Sequence, residues 1–285
     1  MKKVRKAIIP VAGMGTRFLP VTKTVAKEML PIVDKPAIDY IVDEAVKSGI
    51  EEILFITSGT KKILEDYYDR NFELEYKLES SGKLNELSMI KESARKVKTY
   101  FIRQQEPLGT AHAINLAKSF INDEPFAIFF GDDVFMSEVP ALKQLIDMYE
   151  KYDANVIGCL EVEKHLVEKY GIIEYNKDNI TIKSIVEKPK IEDSPSNVAG
   201  LGRYILKPEI FDCIKELMSK PAKGEYYLTD AMRDLMKTQK FYACKIEGKY
   251  FDIGNKLEYI KANIEFGLQN DELKEGLSDY LKHFN

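Results

Sequence analysis

A chain of 285 residues, 45% of them hydrophobic and 31% charged, is long enough for one large folded domain and too evenly mixed for a fibrous or disordered protein. Its formal net charge of −4, with both signs interspersed, gives no basic surplus for nucleic acid or an anionic membrane surface. Cys159, Cys213 and Cys244 lie too far apart for a metal-binding or redox pair, and no apolar segment has the length of a signal peptide or membrane span, so reduced thiols and a cytoplasmic location are expected.

Residues 4–12 are an apolar run that stops at Gly13 and Gly15, the pattern of a buried first strand. Residues 36–49 predict a helix: Pro36 suits the first turn, Ile38, Ile41, Val42 and Ala45 share a face, and Gly49 ends it. A strand over 52–57 and a helix over 61–68 follow, so the opening is strand–helix–strand–helix, the signature of an α/β fold with a largely parallel sheet. Residues 71–98 are charged and helix-prone, broken only at Ser80-Ser81-Gly82, and read as a helical excursion over the surface, serving as packing, a lid or a subunit contact. Next come a strand over 99–103, a helix over 108–120, a strand over 126–130 that is apolar throughout and therefore central, a helix over 141–152 and a strand over 155–162. The second half changes rhythm. Short strands over 171–175 and 180–186 flank a turn at Lys177-Asp178-Asn179 and predict an antiparallel pair; a strand over 198–206, helices over 208–217 and 228–238, a strand over 241–246, and helices over 255–267 and 271–282 complete the chain. The halves read as two lobes of one domain.

Four stretches carry chemistry. After the first strand, Gly13 and Gly15 let the backbone bend and approach a ligand, and Thr16, Arg17, Lys23 and Lys27 follow. Such a loop is an ordinary turn or a cradle for a polyphosphate, with backbone N–H groups as a concave anion site and Arg17 and Lys27 as cations. It matches neither the P-loop nor the dinucleotide fingerprint, because no Gly-Lys-Ser/Thr follows and Phe18 and Pro20 stand where a helix would start. Asp132 and Asp133 close the apolar strand over 126–130, and Asp252 precedes a helix; these are solvated turn acids or, at strand ends where ligands bind, a shared Mg²⁺ site. Gln104 offers a donor and an acceptor in one plane, suited to a nucleobase edge or simply to a polar loop. Glu187 and Lys188 are either a surface ion pair or a clamp for the hydroxyls and phosphate of a sugar phosphate. His112 reads as a structural histidine near a helix start, and Thr229 or Asp230 as a helix cap.

The string Gly13-Met14-Gly15-Thr16-Arg17-Phe18-Leu19-Pro20 through Lys27-Glu28-Met29-Leu30-Pro31 resembles the signature of the sugar-phosphate nucleotidyltransferases, with bacterial-type UTP–glucose-1-phosphate uridylyltransferases the nearest match. Further motifs follow in order: Arg103-Gln104 with Gly109-Thr110-Ala111-His112, Gly131-Asp132-Asp133, Tyr170-Gly171, Val186-Glu187-Lys188-Pro189, Ser196-Asn197-Val198-Ala199 with Gly202-Arg203-Tyr204, Gly224-Glu225 with Leu228-Thr229-Asp230-Ala231, and Phe251-Asp252-Ile253-Gly254. The resemblance implies a Rossmann-like fold with a mixed, mainly parallel central sheet flanked by helices and a smaller sugar-binding lobe. It divides the chain into a nucleotide-binding half (1–153), a sugar-phosphate half (154–254) and C-terminal helices (255–285). It implies transfer of a uridylyl group from UTP to glucose 1-phosphate, giving UDP-glucose and pyrophosphate, with Mg²⁺ held by Asp132 and Asp252. Nucleotide contacts would come from Ala12, Gly13, Gly15, Thr16, Gln104, Gly109 and Asp132, sugar-phosphate contacts from Gly171, Glu187, Lys188 and Gly200, and catalytic charge from Arg17, Lys27 and Lys188. A homo-oligomer, dimer or tetramer, is also implied.

Three departures stand out. Gly109-Thr110-Ala111-His112 replaces the usual Gly-Leu-Gly-His, as in relatives that use other bases; Gly200 stands where a larger apolar residue is usual, which predicts a roomier sugar pocket; and Ala26 replaces a proline before Lys27. The remaining readings are therefore transfer of another nucleotide or sugar, and a catalytically silent UDP-sugar-binding regulator.

Overall fold

The computed structural model describes residues 1–221 and 224–283, so the last two positions of the expected 255–285 segment lie outside the described residues. The strands are β1 (Lys6–Pro10), β2 (Pro31–Ile32), β3 (Lys35–Pro36), β4 (Glu52–Thr57), β5 (Lys98–Arg103), β6 (Phe126–Phe129), β7 (Asp133–Met136), β8 (Asn155–Glu161), β9 (Gly171–Tyr175), β10 (Ile182–Glu187), β11 (Val198–Leu206), β12 (Phe241–Lys245) and β13 (Lys249–Asp252). The helices are α1 (Ala37–Lys47), α2 (Lys62–Tyr68), α3 (Phe72–Ser80), α4 (Leu84–Ser93), α5 (Thr110–Asn115), α6 (Lys118–Ile121), α7 (Ala141–Tyr152), α8 (Ile210–Met218), α9 (Leu228–Leu235), α10 (Lys256–Gly267) and α11 (Lys274–Lys282).

A mixed sheet of nine strands among the described residues runs in the order β10-β9-β11-β6-β1-β4-β5, with β8 on β11 and β12 on β8. The stretch β6-β1-β4-β5 is parallel, whereas β11 is antiparallel to β6, β8 and β9. Because successive side chains on a strand point to opposite faces, the continuous apolar runs serve two cores at once. Ala7 and Ile9 of β1, Ile53 and Phe55 of β4, and Ala127 and Phe129 of β6 join α1 and α7 on one face. Ile8, Leu54, Ile56, Phe126 and Ile128 join α5, α8 and α9 on the other. Each fully buried Ile or Phe contributes about 1.5–3 kcal/mol.

Strand β11 changes neighbour along its length. Ala199 and Gly200 pair with β9, and Arg203 to Leu206 pair with β6. One strand thus ties the sheet of the first half to that of the second. The Arg203 guanidinium is fully buried and is held by both carboxylate oxygens of Glu44, at 2.9 and 2.8 Å, and by the Asp133 carbonyl at 2.8 Å. Glu44 Oε1 also accepts from Leu142 N at the start of α7 (2.9 Å). One buried ion pair therefore fixes α1, α7, β11 and the turn at Asp133. Removing either partner would strand a buried charge.

Two details differ from the sequence reading. The helix expected over 108–120 is two short helices, α5 and α6, separated at Leu116 and Ala117. The chain after Asp132 is not merely a turn: β7 begins at Asp133 and pairs with β13 in a separate antiparallel ribbon, Asp133 opposite Asp252. A four-residue strand that begins with a carboxylate and finds its partner far along the chain has no period to reveal it.

Candidate active site

At the C-terminal end of β1 the chain leaves the sheet and folds into a loop of three single-turn 3₁₀ helices, Thr16–Phe18, Val21–Lys23 and Lys27–Met29. Gly15 takes φ +65°, and the Thr22 hydroxyl closes the loop by donating to the Gly15 carbonyl at 2.8 Å. Phe18 meets the Tyr259 ring edge-on at 5.5 Å, and Tyr259 donates its hydroxyl hydrogen to the Pro31 carbonyl at 2.6 Å, so α10 braces the loop from outside.

Inside, Glu28 and Lys61 form a buried ion pair at 2.7 Å. Burial pushes the Glu28 carboxyl up and the Lys61 ammonium down, each toward neutrality and against the pull of its partner. The pair anchors the turn that carries Lys27. Ala26, the residue replacing proline, is buried and adopts φ −61°, the angle a proline ring imposes, so the backbone reaches that shape without the ring.

The Lys27 ammonium is paired with the Asp132 carboxylate. Burial alone would depress Lys27, but the charges of Asp132 and Glu28 outweigh it and raise its pKa. A Cβ built on Gly254 would lie 2.9 Å from Asp132 Oδ2, 3.0 Å from Asp252 Oδ1 and 3.6 Å from Arg17 Nη1. Two carboxylates and a guanidinium thus converge around one point, where Ile253 N also donates to the Asp132 carbonyl at 2.9 Å. Burial and the charge of Asp132 push the Asp252 carboxyl up. Asp133, whose relation to Asp132 the sequence left open, is buried and accepts from the Tyr250 hydroxyl (2.7 Å) and from Gly202 N (2.8 Å). Burial and Asp132 push it up to about 7. Asp132 is therefore the member of the adjacent pair that Tyr250 and Gly202 do not claim; its carboxylate is bonded to Lys27 and lies beside Asp252. These two converging carboxylates fit Mg²⁺, which takes one or two carboxylates with phosphate oxygens.

Two cavities adjoin at this point and share Thr110, Phe130, Asp132 and Glu225 as a common wall. One, of about 250 Å³, contains Ala12, Gly13, Lys27, Gln104 and Gly109. The other, of about 280 Å³, contains Arg17, Gly171, Glu187, Lys188, Gly200 and Asp252. Of the residues expected to contact substrate or metal, all border one of the two cavities except Gly15, which shapes the loop, and Thr16, which is exposed beside it; Lys23, His112 and Asp230 line neither.

The second cavity is built abreast. Glu187 of β10 stands opposite Gly171 of β9, and Gly171 opposite Gly200 of β11. A Cβ on Gly200 would press on Ile157, the Gly171 carbonyl and Ile185 at 3.3–3.5 Å, toward the sheet's own packing rather than into open space of the recess. Lys188 lies at φ +44°, a left-handed conformation unusual for a side-chain-bearing residue. Its N–H donates to the Tyr170 carbonyl at 2.9 Å, and its ammonium lies 5.4 Å from the centre of the Tyr227 ring and 3.5 Å from Glu187.

The segment ahead of α9 links the two cavities. Gly109 has φ +107°, and a Cβ there would meet the Tyr226 carbonyl at 2.6 Å, so glycine is required twice over. Tyr226 N donates to the Leu108 carbonyl and Ala111 N to the Tyr226 carbonyl, at 2.8 and 2.9 Å. Neither Thr229 nor Asp230 caps α9, contrary to the sequence reading. Leu228 N donates instead to the Thr110 hydroxyl at 2.9 Å, Thr229 donates to Glu187 Oε2 at 2.9 Å, and Asp230 pairs with Arg233 at 2.7 Å. Thr110 and Thr229 are thus site-building residues that sequence reasoning missed; their only signal was a place inside the motifs.

Residues 6–267 match the family model described as Nucleotidyl transferase. The chain is 47% identical over 284 residues to a UTP–glucose-1-phosphate uridylyltransferase of Bacillus subtilis (strain 168), YngB, covering 99% of this chain and 95% of that one. A UTP-bound UGPase from Acinetobacter baumannii superposes with a TM-score of 0.89 at 36% identity, covering 99% of this chain and 100% of that one. A UDP-glucose pyrophosphorylase complexed with UDP-glucose does so with a TM-score of 0.84 at 39% identity, covering 94% and 100%. Lys27 and the glycine loop at one cavity, Arg17, Glu187 and Lys188 at the other, and converging carboxylates between them agree with these matches along nearly the whole chain: it belongs to the nucleotidyl transferase family.

Proposed function

We propose that the protein transfers the uridylyl group of UTP to glucose 1-phosphate, releasing pyrophosphate and forming UDP-glucose. The observation that carries this reading is the position of Asp132 and Asp252 at the junction of two cavities, one lined by Gln104 and the glycine loop and the other by Glu187 and Lys188. Full-length likeness to a UTP–glucose-1-phosphate uridylyltransferase supports the choice of substrates.

The sugar phosphate brings its own anionic oxygen, so no general base is needed. That oxygen forms a bond to the α-phosphorus as the bond to the bridging oxygen of pyrophosphate breaks, and the electron pair leaves with pyrophosphate. Lys188 and Glu187 hold the acceptor, the first by its ammonium on the phosphate and the second by accepting hydroxyl hydrogens. Arg17 and Lys27 stabilise negative charge on the triphosphate, and Gln104, Ala12, Gly13 and Gly109 hold the base. Gly171 and Gly200 offer their backbone to the recess they line. Asp132 and Asp252 would hold Mg²⁺, which when bound lowers the charge repulsion between the reacting phosphates. Catalysis here is positioning and electrostatics rather than proton transfer.

Cytoplasmic location and a dimeric or tetrameric assembly belong to the same proposal. Among the described residues no helix is long and apolar enough to cross a membrane, and Phe72 and Tyr76 on α3 and Leu257 and Ile260 on α10 are exposed. The division into a nucleotide half (1–153) and a sugar half (154–254) is supported by the distribution of the residues named above.

Pyrophosphate release across a panel of nucleoside triphosphates and sugar 1-phosphates with Mg²⁺ tests the reading. UTP with glucose 1-phosphate is expected to turn over fastest. A preference for another pair would identify a different transferase, and binding of UDP-glucose without turnover would identify a regulator.

A further inference from the structure

Gln104 and His112 form a pair that the reaction does not account for. The Gln104 side-chain nitrogen lies 3.2 Å from the Gly109 carbonyl oxygen and 3.0 Å from His112 Nδ1. A backbone carbonyl only accepts, so it must face the nitrogen end of the carboxamide. With one amide hydrogen on Gly109, the other points at His112 Nδ1, which accepts only if the ring carries its proton on Nε2. Both hydrogens are then used inside the protein, and the carboxamide oxygen is left for the cavity that Gln104 lines with Ala12, Gly13 and Gly109.

The surroundings hold this arrangement. Gln104 N donates to the Thr57 carbonyl at 2.8 Å, fixing the residue beside β4. Gly109 is pressed against Tyr226 and cannot shift, and His112 rides on α5 immediately after it. We propose that His112 is a positioning residue for base selection: by accepting from the Gln104 amide it keeps an acceptor oxygen, not a donor nitrogen, turned toward the nucleobase.

The chemical consequence follows at ring position 3 of a pyrimidine. Uracil carries an N–H there and cytosine a bare nitrogen. An acceptor oxygen rewards the first and opposes the second, and a site built on a hydrogen bond discriminates strongly against a base that lacks the group. If the carboxamide were free to turn over, its NH₂ would suit cytosine equally well. His112 thereby acts on selectivity without touching the base, and the inference rests on the transferase reading given above.

The experiment compares kcat/KM for UTP and CTP, with glucose 1-phosphate as acceptor, in the unaltered protein, His112→Leu and His112→Asn. His112→Leu removes the acceptor and is expected to reduce the UTP-over-CTP preference about ten-fold, the scale of one net hydrogen bond, mainly through the KM for UTP. His112→Asn offers an amide oxygen near the place of Nδ1 and is expected to restore most of the preference. An unchanged ratio in His112→Leu, or an equal loss in His112→Asn, would overturn the proposal, since a merely structural histidine would slow both nucleotides alike. A measurement without any variant guards against misfolding: long-range ¹H–¹⁵N spectra of the histidine rings, of which the chain has three, should show His112 with Nδ1 bare and Nε2 protonated. The opposite tautomer would refute the proposal. If the unaltered protein releases no pyrophosphate from UTP and glucose 1-phosphate, the functional reading fails, and the tautomer still decides the orientation of the carboxamide.

Discussion

Thr229 donates its hydroxyl hydrogen to Glu187 Oε2 at 2.9 Å, joining the first turn of α9 to the last residue of β10. Gly171 lies against both: a Cβ there would stand 3.0 Å from Thr229 Cγ2 and 3.4 Å from Glu187 Oε2. One carboxylate oxygen is thus anchored, and Oε1 remains beside Lys188. Thr229→Val keeps the shape and deletes the hydrogen bond. Its expected effect is a rise of about ten-fold in the KM for glucose 1-phosphate with the KM for UTP unchanged, the scale of one hydrogen bond to a charged group. Steady-state kinetics with each substrate varied in turn checks it; parallel changes in both constants would point to general loosening instead.

Lys188 sits in a left-handed conformation, and such strain at a binding residue costs about 1–3 kcal/mol. Lys188→Ala and Lys188→Gly both remove the ammonium and should lower kcat at least 100-fold, the loss typical of a charge that acts on the transferring phosphate. They should differ in stability: the glycine variant is expected to be about 1 kcal/mol more stable than the alanine variant, because only glycine occupies that region without strain. Urea midpoints and pyrophosphate assays on the two proteins separate the contributions. Near-normal turnover in either would remove Lys188 from the chemistry.

Asp132 and Asp252 come from distant parts of the sequence but meet beside Gly254. Asp132→Ala and Asp252→Ala should each raise the Mg²⁺ concentration needed for half-maximal rate and lower the maximal rate, on the order of 100-fold for loss of a ligand-positioning charge. Titrating activity with Mg²⁺ in both variants tests the shared site, and indifference of either variant would break it.

Ala26 provides a stability test independent of activity. Its φ of −61° matches proline, so Ala26→Pro should stabilise the fold by about 0.4–1 kcal/mol, chiefly by restricting the unfolded chain. Thermal unfolding should show a midpoint about 1–3 °C higher. A lower midpoint would mean that the ring collides with the residues around this buried position.

Much of the fold was legible because the central strands are covered on both faces. Ile8 and Ile9, or Phe55 and Ile56, are apolar in succession because each core claims alternate residues. The residues of the site were legible as motif members, and the cavities gather nearly all of them. What escaped was pairing at a distance. Nothing local to Asp133 announces that Tyr250 and Gly202 N will take its carboxylate, and so the choice between it and Asp132 needed coordinates. Thr110 drew no role of its own, and Thr229 looked like a helix cap, because hydroxyls usually bond close by in sequence. Here one serves the first turn of a helix more than a hundred positions away, and the other serves a strand. The single helix expected over 108–120 failed for a simpler reason: an unbroken apolar period does not reveal the interruption at Leu116 and Ala117 between α5 and α6.

The wall that the two cavities share has a kinetic meaning. On the proposed reading each reactant would fill one recess, while the fused nucleotide sugar would fill both and lose its translational freedom only once on binding. The better the enclosure aligns the separate fragments, the more tightly it grips the molecule made by joining them. Escape of that molecule, rather than phosphorus–oxygen bond exchange, would then be the step that must be kept quick, and Arg17, exposed on its loop at the edge of the larger cavity, would be among the last groups it leaves.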